Sequence, residues 1–124
     1  MRIAQVAPLY EDEFLGHAYA LLFPIDWPEP FGLAMIEAMA CETPIIAYRQ
    51  GSVPEMIEEG HTGFIVNELE DPIAPARRVP ELSRQRCREM FEKCFTARPM
   101  AHDYLEVYKK LIEADRKRVE RSAA

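Results

Sequence analysis

Short apolar runs, each closed by a proline, a glycine or an acidic stretch, set the rhythm of this chain. Ile3 to Ala7 is stopped by Pro8 and reads as a buried strand or as an arm on another surface. Glu11 to Tyr19 places Phe14, Leu15 and Ala18 at helical spacing, and Ala20-Leu21-Leu22-Phe23 is a second buried run that ends at Pro24. Pro24, Pro28 and Pro30 stiffen the next stretch, because proline fixes its own φ and pushes the preceding residue towards extended backbone. Leu33 to Cys41 is rich in helix formers and stops before Thr43-Pro44, which predicts a buried helix of about ten residues. Pro44 to Tyr48 is another interior strand. Ser52-Val53-Pro54-Glu55 has the form of a capping box, with Ser52 as N-cap, Pro54 in the first turn and Glu55 reaching back. Gly60 is placed to end that helix in a left-handed C-cap, and Gly63 to Val66 gives one more short strand.

Interior strands alternating with helices predict a parallel sheet covered by its own crossovers, so the fold class is α/β: a three-layer, Rossmann-like domain with a small, mainly parallel sheet. Asn67 to Pro80, with Pro72, Pro75 and Pro80 and the exposed pair Arg77-Arg78, is a connection holding one broken helix. Glu81 to Lys93 and Ala97 to about Arg118 follow as helices. The second has Ala101, Leu105, Tyr108 and Ile112 on a stripe expected to pack, Glu106/Lys110 and Glu113/Lys117 as ion pairs, and a solvated, frayed end beyond Asp115.

Length and charge narrow the classes. At 124 residues, 48% apolar and 29% charged, the chain is one ordinary globular domain. Fifteen Lys+Arg against 21 Asp+Glu, net −6, oppose binding to a phosphate backbone, so no nucleic acid is expected as a partner. Cys41, Cys87 and Cys94 make an odd set without C-x-x-C spacing, which suggests neither a disulfide framework nor a thiolate zinc site and fits a reducing cytoplasm; Cys87 and Cys94, seven apart, are expected to be buried. No apolar run approaches the ~20 residues of a membrane span, so no transmembrane segment is expected. His17, His61 and His102 lack a paired carboxylate or a second ligand at metal spacing, and no metal or cofactor is expected.

The chemistry concentrates in Trp27 to Glu37, where two carboxylates flank a glycine turn that opens a helix after a buried strand. Helix-start amides around Phe31, Gly32 and Leu33 can hold a phosphate oxygen without a basic side chain, with Gly32 expected to admit the ligand closely. Glu29, in the loop, and Glu37, in the second turn, are acceptors that would read hydroxyl groups on either side of that phosphate. A nucleotide sugar has this layout. Two further readings stay open: Glu29 caps the following helix itself, and Trp27 either stacks on a ligand or anchors the loop.

Glu29 and Glu37, with seven residues between them enclosing Pro30-Phe31-Gly32-Leu33, resemble the E-x7-E signature of the retaining glycosyltransferases of family 4 (group 1). Ala20-Leu21-Leu22-Phe23-Pro24 before them, and Thr43-Pro44-Ile45-Ile46-Ala47, Gly51-Ser52-Val53-Pro54-Glu55 and Gly60 to Val66 after them, extend the likeness over about residues 13 to 112. The resemblance implies the C-terminal, donor-binding half of a GT-B fold. Residues 1–12 would resemble the opening strand of the family's first domain, and 13–124 a truncated donor-binding domain. Glu29 would be the catalytic-pocket residue that accepts from the donor sugar; Phe31, Gly32 and Leu33 would face sugar and phosphate; Glu37 would accept from the ribose. The implied partner is a nucleotide diphosphate sugar of UDP, GDP or ADP type. The parent reaction is retaining transfer to an acceptor hydroxyl, which the chain is not expected to perform alone, since the acceptor domain and the Arg/Lys pair near the start of the family's second domain, which neutralises the diphosphate, would lie outside it. Glu42 stands where the family pattern has glycine and is expected to be an exposed, tolerated substitution, one that stores strain on the order of 1 kcal/mol if the position needs positive φ. The alternative is a non-catalytic, oligomerising Rossmann-like module. In either case an open sheet edge favours a homodimer, formed through surface that other strands would otherwise cover.

Overall fold

The computed structural model describes residues 3–4, 14–67 and 73–123. Its elements run β1 (Ile3–Ala4), β2 (Ala20–Phe23), α1 (Leu33–Ala40), β3 (Ile45–Tyr48), α2 (Val53–Met56), β4 (Gly63–Val66), α3 (Ile73–Arg78), a 3-10 turn (Val79–Glu81), α4 (Arg84–Cys94) and α5 (Ala97–Ala123). The strands form one parallel sheet in sequential order, β1-β2-β3-β4. Leu21, Leu22 and Phe23 lie beside Ile45, Ile46 and Ala47, which in turn lie beside Gly63, Phe64 and Ile65. Parallel neighbours demand crossovers, and α1 and α2 are the two that join β2 to β3 and β3 to β4. The expected α/β class with a parallel sheet is what the chain adopts. Ile3–Ala4 does add a strand, while residues 5–13 lie outside the described residues; of the helix expected over Glu11 to Tyr19, the described part after Phe14 is a turn in which Ala18 donates its amide to Leu15 O, and Gly16 within it breaks the helical run.

Because side chains alternate across a sheet, each face has its own core. Ala20, Ile46 and Val66 are buried with Val79 and are flanked by Leu22, Tyr48 and Ala76, so α3 and the 3-10 turn cover that face. Leu21, Phe23, Ile45 and Ala47, buried on the other parity, complete strands with no solvent face, and α1 packs on β2 and β3 with Met35, Ala38 and Met39 fully buried. Gly63 is needed inside β4, since a Cβ there would press on the Ile45 backbone.

Four local expectations change. Ser52 has no side-chain capping bond: its φ of −75 and ψ of −11 are already helical, and Glu55 donates its amide to the Ser52 carbonyl instead. The box therefore has no extended N-cap from which a hydroxyl could reach forward. Gly60 does adopt positive φ, 74, but α2 has ended at Met56 with Ile57 extended, so this glycine serves the turn into β4, where its amide donates to Gly63. Cys87 is buried, with burial pushing its thiol up to about 11, whereas Cys94 is exposed at the last position of α4. Arg78 is exposed but engaged, paired with Glu81 at 2.9 Å and stacked 4.8 Å above the Phe64 ring.

Residues 1–92 and 93–124 form two units. In the second, α5 stays helical to Ala123, past the fraying expected at Asp115. Nothing within this unit packs on its stripe: Tyr104, Leu105, Tyr108, Leu111 and Ile112 are all more than half exposed. A lone helix satisfies its backbone internally and holds itself with pairs such as Lys109–Glu106, Arg116–Glu120 and Arg118–Asp115, and this unit has no second element to cover an apolar face. Glu106 reaches Lys109 and not Lys110, one turn being spanned equally well by three residues as by four.

Candidate functional site at the start of helix α1

β2 and β3 both deliver their C-terminal ends to the same edge of the sheet, the edge at which open parallel sheets take ligands. From β2 the chain enters the proline-rich loop at Pro24, turns with the Glu29 amide donating to Trp27 O at 2.8 Å, and starts α1 at Gly32. Gly32 has φ 69 and ψ 47, the left-handed region in which a side chain is costly. A Cβ there would also collide with the Met35 methyl and lie 3.4 Å from Ser52 Oγ. Glycine is thus demanded from inside the protein, by backbone and packing, and not only by an approaching ligand.

Glu29 crosses the mouth of the helix. Its Oε1 accepts the Gly32 amide at 3.2 Å and the Phe31 amide at 3.4 Å, and its Oε2 accepts Trp27 Nε1 at 3.4 Å. These bonds, the Gly32 amide foremost, hold the Glu29 carboxyl below its ordinary value. The carboxylate therefore does what an anionic oxygen of a ligand would do: it sits on helix-start amides in the positive field of the dipole. The next amides, Leu33 and Ala34, belong to the first turn and have no intrahelical acceptor.

Around that mouth, Phe31 is 57% and Leu33 60% exposed, so apolar side chains do not close it. Trp27 is likewise exposed and serves as a hydrogen-bonded neighbour of Glu29, not as a buried loop anchor. Glu37 is half-buried one turn further along α1. The structure thus joins Glu29, Phe31 and Gly32 directly through hydrogen bonds and carries Leu33 and Glu37 on the helix they open. The three histidines are exposed; His102, expected to lack a paired carboxylate, lies 3.4 Å from Asp103 Oδ1, its neighbour in the chain, and the described residues contain no group of three potential metal ligands.

Sequence reasoning gave the segment Gly51 to Glu55 as part of the family likeness but missed how it engages the site. Ser52 donates its amide to the Glu29 carbonyl at 2.9 Å, binding the β3–α2 turn to the acidic loop. Only the glycine at 51 signalled a close approach.

A Rossmann-like α/β domain whose C-terminal sheet edge carries a helix start capped by an acidic loop is the class defined so far. Comparison with known proteins makes it particular. Residues 8–96 match the glycosyl transferases group 1, and the chain belongs to that family. It is 37% identical over 93 residues to spore coat protein SA of Bacillus subtilis, covering 68% of this chain and 25% of that protein. To a D-inositol 3-phosphate glycosyltransferase of Streptomyces avermitilis it is 36% identical over 110 residues, covering 82% and 23% respectively. A solved sucrose-phosphate synthase from Thermosynechococcus elongatus superposes with a TM-score of 0.65 at 28% identity, over 90% of this chain and 30% of that one. A crystal structure of Anabaena Alr3699/HepE in complex with UDP gives the same TM-score at 20% identity, over 77% of this chain and 29% of that one, which supports the fold. The chain spans about a quarter of the length of the curated relatives it matches.

Proposed function

We propose that residues 13–124 act as the donor-binding part of a retaining glycosyltransferase and take a nucleotide diphosphate sugar at the start of α1. The observation that carries this reading is the Glu29 carboxylate lying on the Gly32 and Phe31 amides. A negatively charged oxygen is already accommodated there, and the group supplying it is an acceptor suited to sugar hydroxyls once a phosphate takes its place. Glu29 would then swing to the donor sugar, the Phe31, Gly32 and Leu33 backbone would face sugar and phosphate, and Glu37 would accept from the ribose. Residues 1–12 would be an arm resembling the opening strand of a first domain.

Transfer needs an acceptor hydroxyl delivered to the anomeric carbon and cations to neutralise the leaving diphosphate. The described edge offers amides and carboxylates for the first contacts and no cluster of basic side chains for the second. These residues are accordingly proposed to bind donor without transferring sugar by themselves, in a reducing, cytoplasmic setting. Titration with UDP, GDP and ADP and with their sugar conjugates, followed through Trp27, the chain's one tryptophan, tests the reading. The expected result is saturable quenching or enhancement by one nucleotide class, abolished by Gly32→Val. A flat response to every nucleotide and nucleotide sugar refutes it.

A second reading, a self-associating module without catalysis, is favoured by one observation, the exposed apolar stripe of α5.

A further inference from the structure

We propose that the Gly51–Ser52 turn is a positioning element for Glu29, fixing the backbone from which that carboxylate meets the donor sugar. This rests on the donor-binding reading above and assigns a specificity role within it.

The backbone of Glu29 is held on three sides. Its amide donates to Trp27 O at 2.8 Å, its carbonyl accepts the Ser52 amide at 2.9 Å, and Gly51 lies flat against it. A Cβ on residue 51 would fall 2.5 Å from the Glu29 nitrogen and 2.7 Å from the Pro28 carbonyl carbon, and closer still to the Glu29 carbonyl oxygen. All three are backbone atoms, which cannot step aside as the end of a side chain can. Gly51 also has φ 50, so any other residue would be strained before it touched anything.

The turn can bear this load because its far side is anchored. Ser52 O accepts the Glu55 and Met56 amides at 2.9 and 3.1 Å, Val53 donates to Gln50 O at 3.1 Å, and the Val53 and Met56 side chains are buried in the core. Glu29 is therefore tied through Gly51 to the sheet, and its carboxylate moves only by rotation about side-chain bonds from a fixed Cα. Glu37 depends on none of this, being placed by α1. Disturbing residue 51 should consequently spoil recognition at the sugar end of a donor and spare the nucleotide end.

Gly60 supplies the control. It has φ 74, yet a Cβ there would meet nothing within 4 Å. Gly60→Ala carries comparable backbone strain without the collision and far from Glu29 in the chain.

The experiment is calorimetric titration of the full chain with UDP, GDP and ADP and with UDP-glucose, GDP-mannose and ADP-glucose, using whichever nucleotide class the wild type binds. Gly51→Ala should weaken the nucleotide sugar about tenfold while changing the nucleoside diphosphate less than about twofold, the loss of roughly one charged hydrogen bond. Glu29→Gln should do the same, and Gly51→Ala should add nothing in the Glu29→Gln background, since it acts through that residue. Gly60→Ala should leave both affinities unchanged. If Gly51→Ala does not fold, Pro28→Gly loosens the opposite, exposed side of the same contact and should weaken the sugar conjugate about threefold, selectively. Equal losses for both ligands, an unchanged sugar affinity in folded Gly51→Ala, or full additivity with Glu29→Gln would overturn the inference while leaving donor binding intact. A wild type that binds neither ligand overturns the donor reading, and this assignment with it.

Discussion

Glu42 is the residue at which the chain stores strain in plain view. It has φ 61, the only non-glycine positive φ among the described residues, on an exposed turn where Thr43 must fold back to donate its amide to Ala38. A side chain in the left-handed region is penalised by contact of its Cβ with the backbone carbonyl, and an exposed carboxylate here gives little in return. The variant Glu42→Gly should therefore raise unfolding free energy by about 1 kcal/mol, the relief of strain exceeding the entropy glycine adds to the unfolded chain. Equilibrium denaturation in urea measures it, and an unchanged or lower midpoint would show that the turn accommodates glutamate without cost. The family resemblance could announce this site because its pattern has a glycine at the position that Glu42 occupies. The sequence could not announce Gly51 in the same way, since what that glycine avoids is the backbone of residues 28 and 29, brought there only by the sheet.

Among elements, the contacts that local reasoning could not reach are those of α4. Arg84 donates Nη1 to Ala18 O and Nη2 to Gly16 O, both at 2.9 Å, and Nη2 also to Thr43 Oγ1 at 3.2 Å. Thr43 in turn donates its hydroxyl to Leu15 O at 2.5 Å. Four residues later Arg88 Nη1 donates to Ala40 O at 2.7 Å, giving the last carbonyl of α1 a cationic donor at the negative end of the helix dipole. One helix face thus ties together the turn before β2, the end of α1 and the start of β3. The strands and α1 were legible as apolar runs bounded by proline and glycine, because their causes lie within a few residues. Arg84 looked like any surface arginine, because its acceptors lie 66 and 68 residues away. Replacing it by alanine leaves half-buried carbonyls without donors and should cost about 2–3 kcal/mol, and Arg84→Lys should recover only part, an ammonium being unable to span the three acceptors as a planar fork does. Thermal or urea unfolding of the two variants decides this; a loss below about 0.5 kcal/mol in Arg84→Ala would reduce the cluster to an ordinary surface contact.

At the scale of the molecule, the unexplained surface is that of α5. Its periodicity was legible, but periodicity tells which residues share a face and not whether anything covers it. Tyr104, Tyr108 and Leu111, with Leu105 and Ile112 beside them, form a continuous strip on a helix of 27 residues, and each is more than half exposed. Apolar area left in water forgoes about 25 cal/mol per Å², so a strip of this kind gains by association whenever a matching strip is near. A second copy presents the same strip, and two such helices laid together would bury it in the manner of a helical seam. The sheet offers a rival route, since β1 and β4 are its outer strands among the described residues. The two routes separate cleanly. Sedimentation velocity over a wide concentration range should show a monomer–dimer equilibrium, and Leu111→Glu with Ile112→Glu should shift it to monomer, because charges directly within an apolar seam are desolvated at a cost of several kcal/mol. Association that survives this double substitution would assign the dimer to the sheet edge. A wild-type chain that sediments as a monomer throughout would remove self-association from its properties and leave donor binding as the reading to pursue.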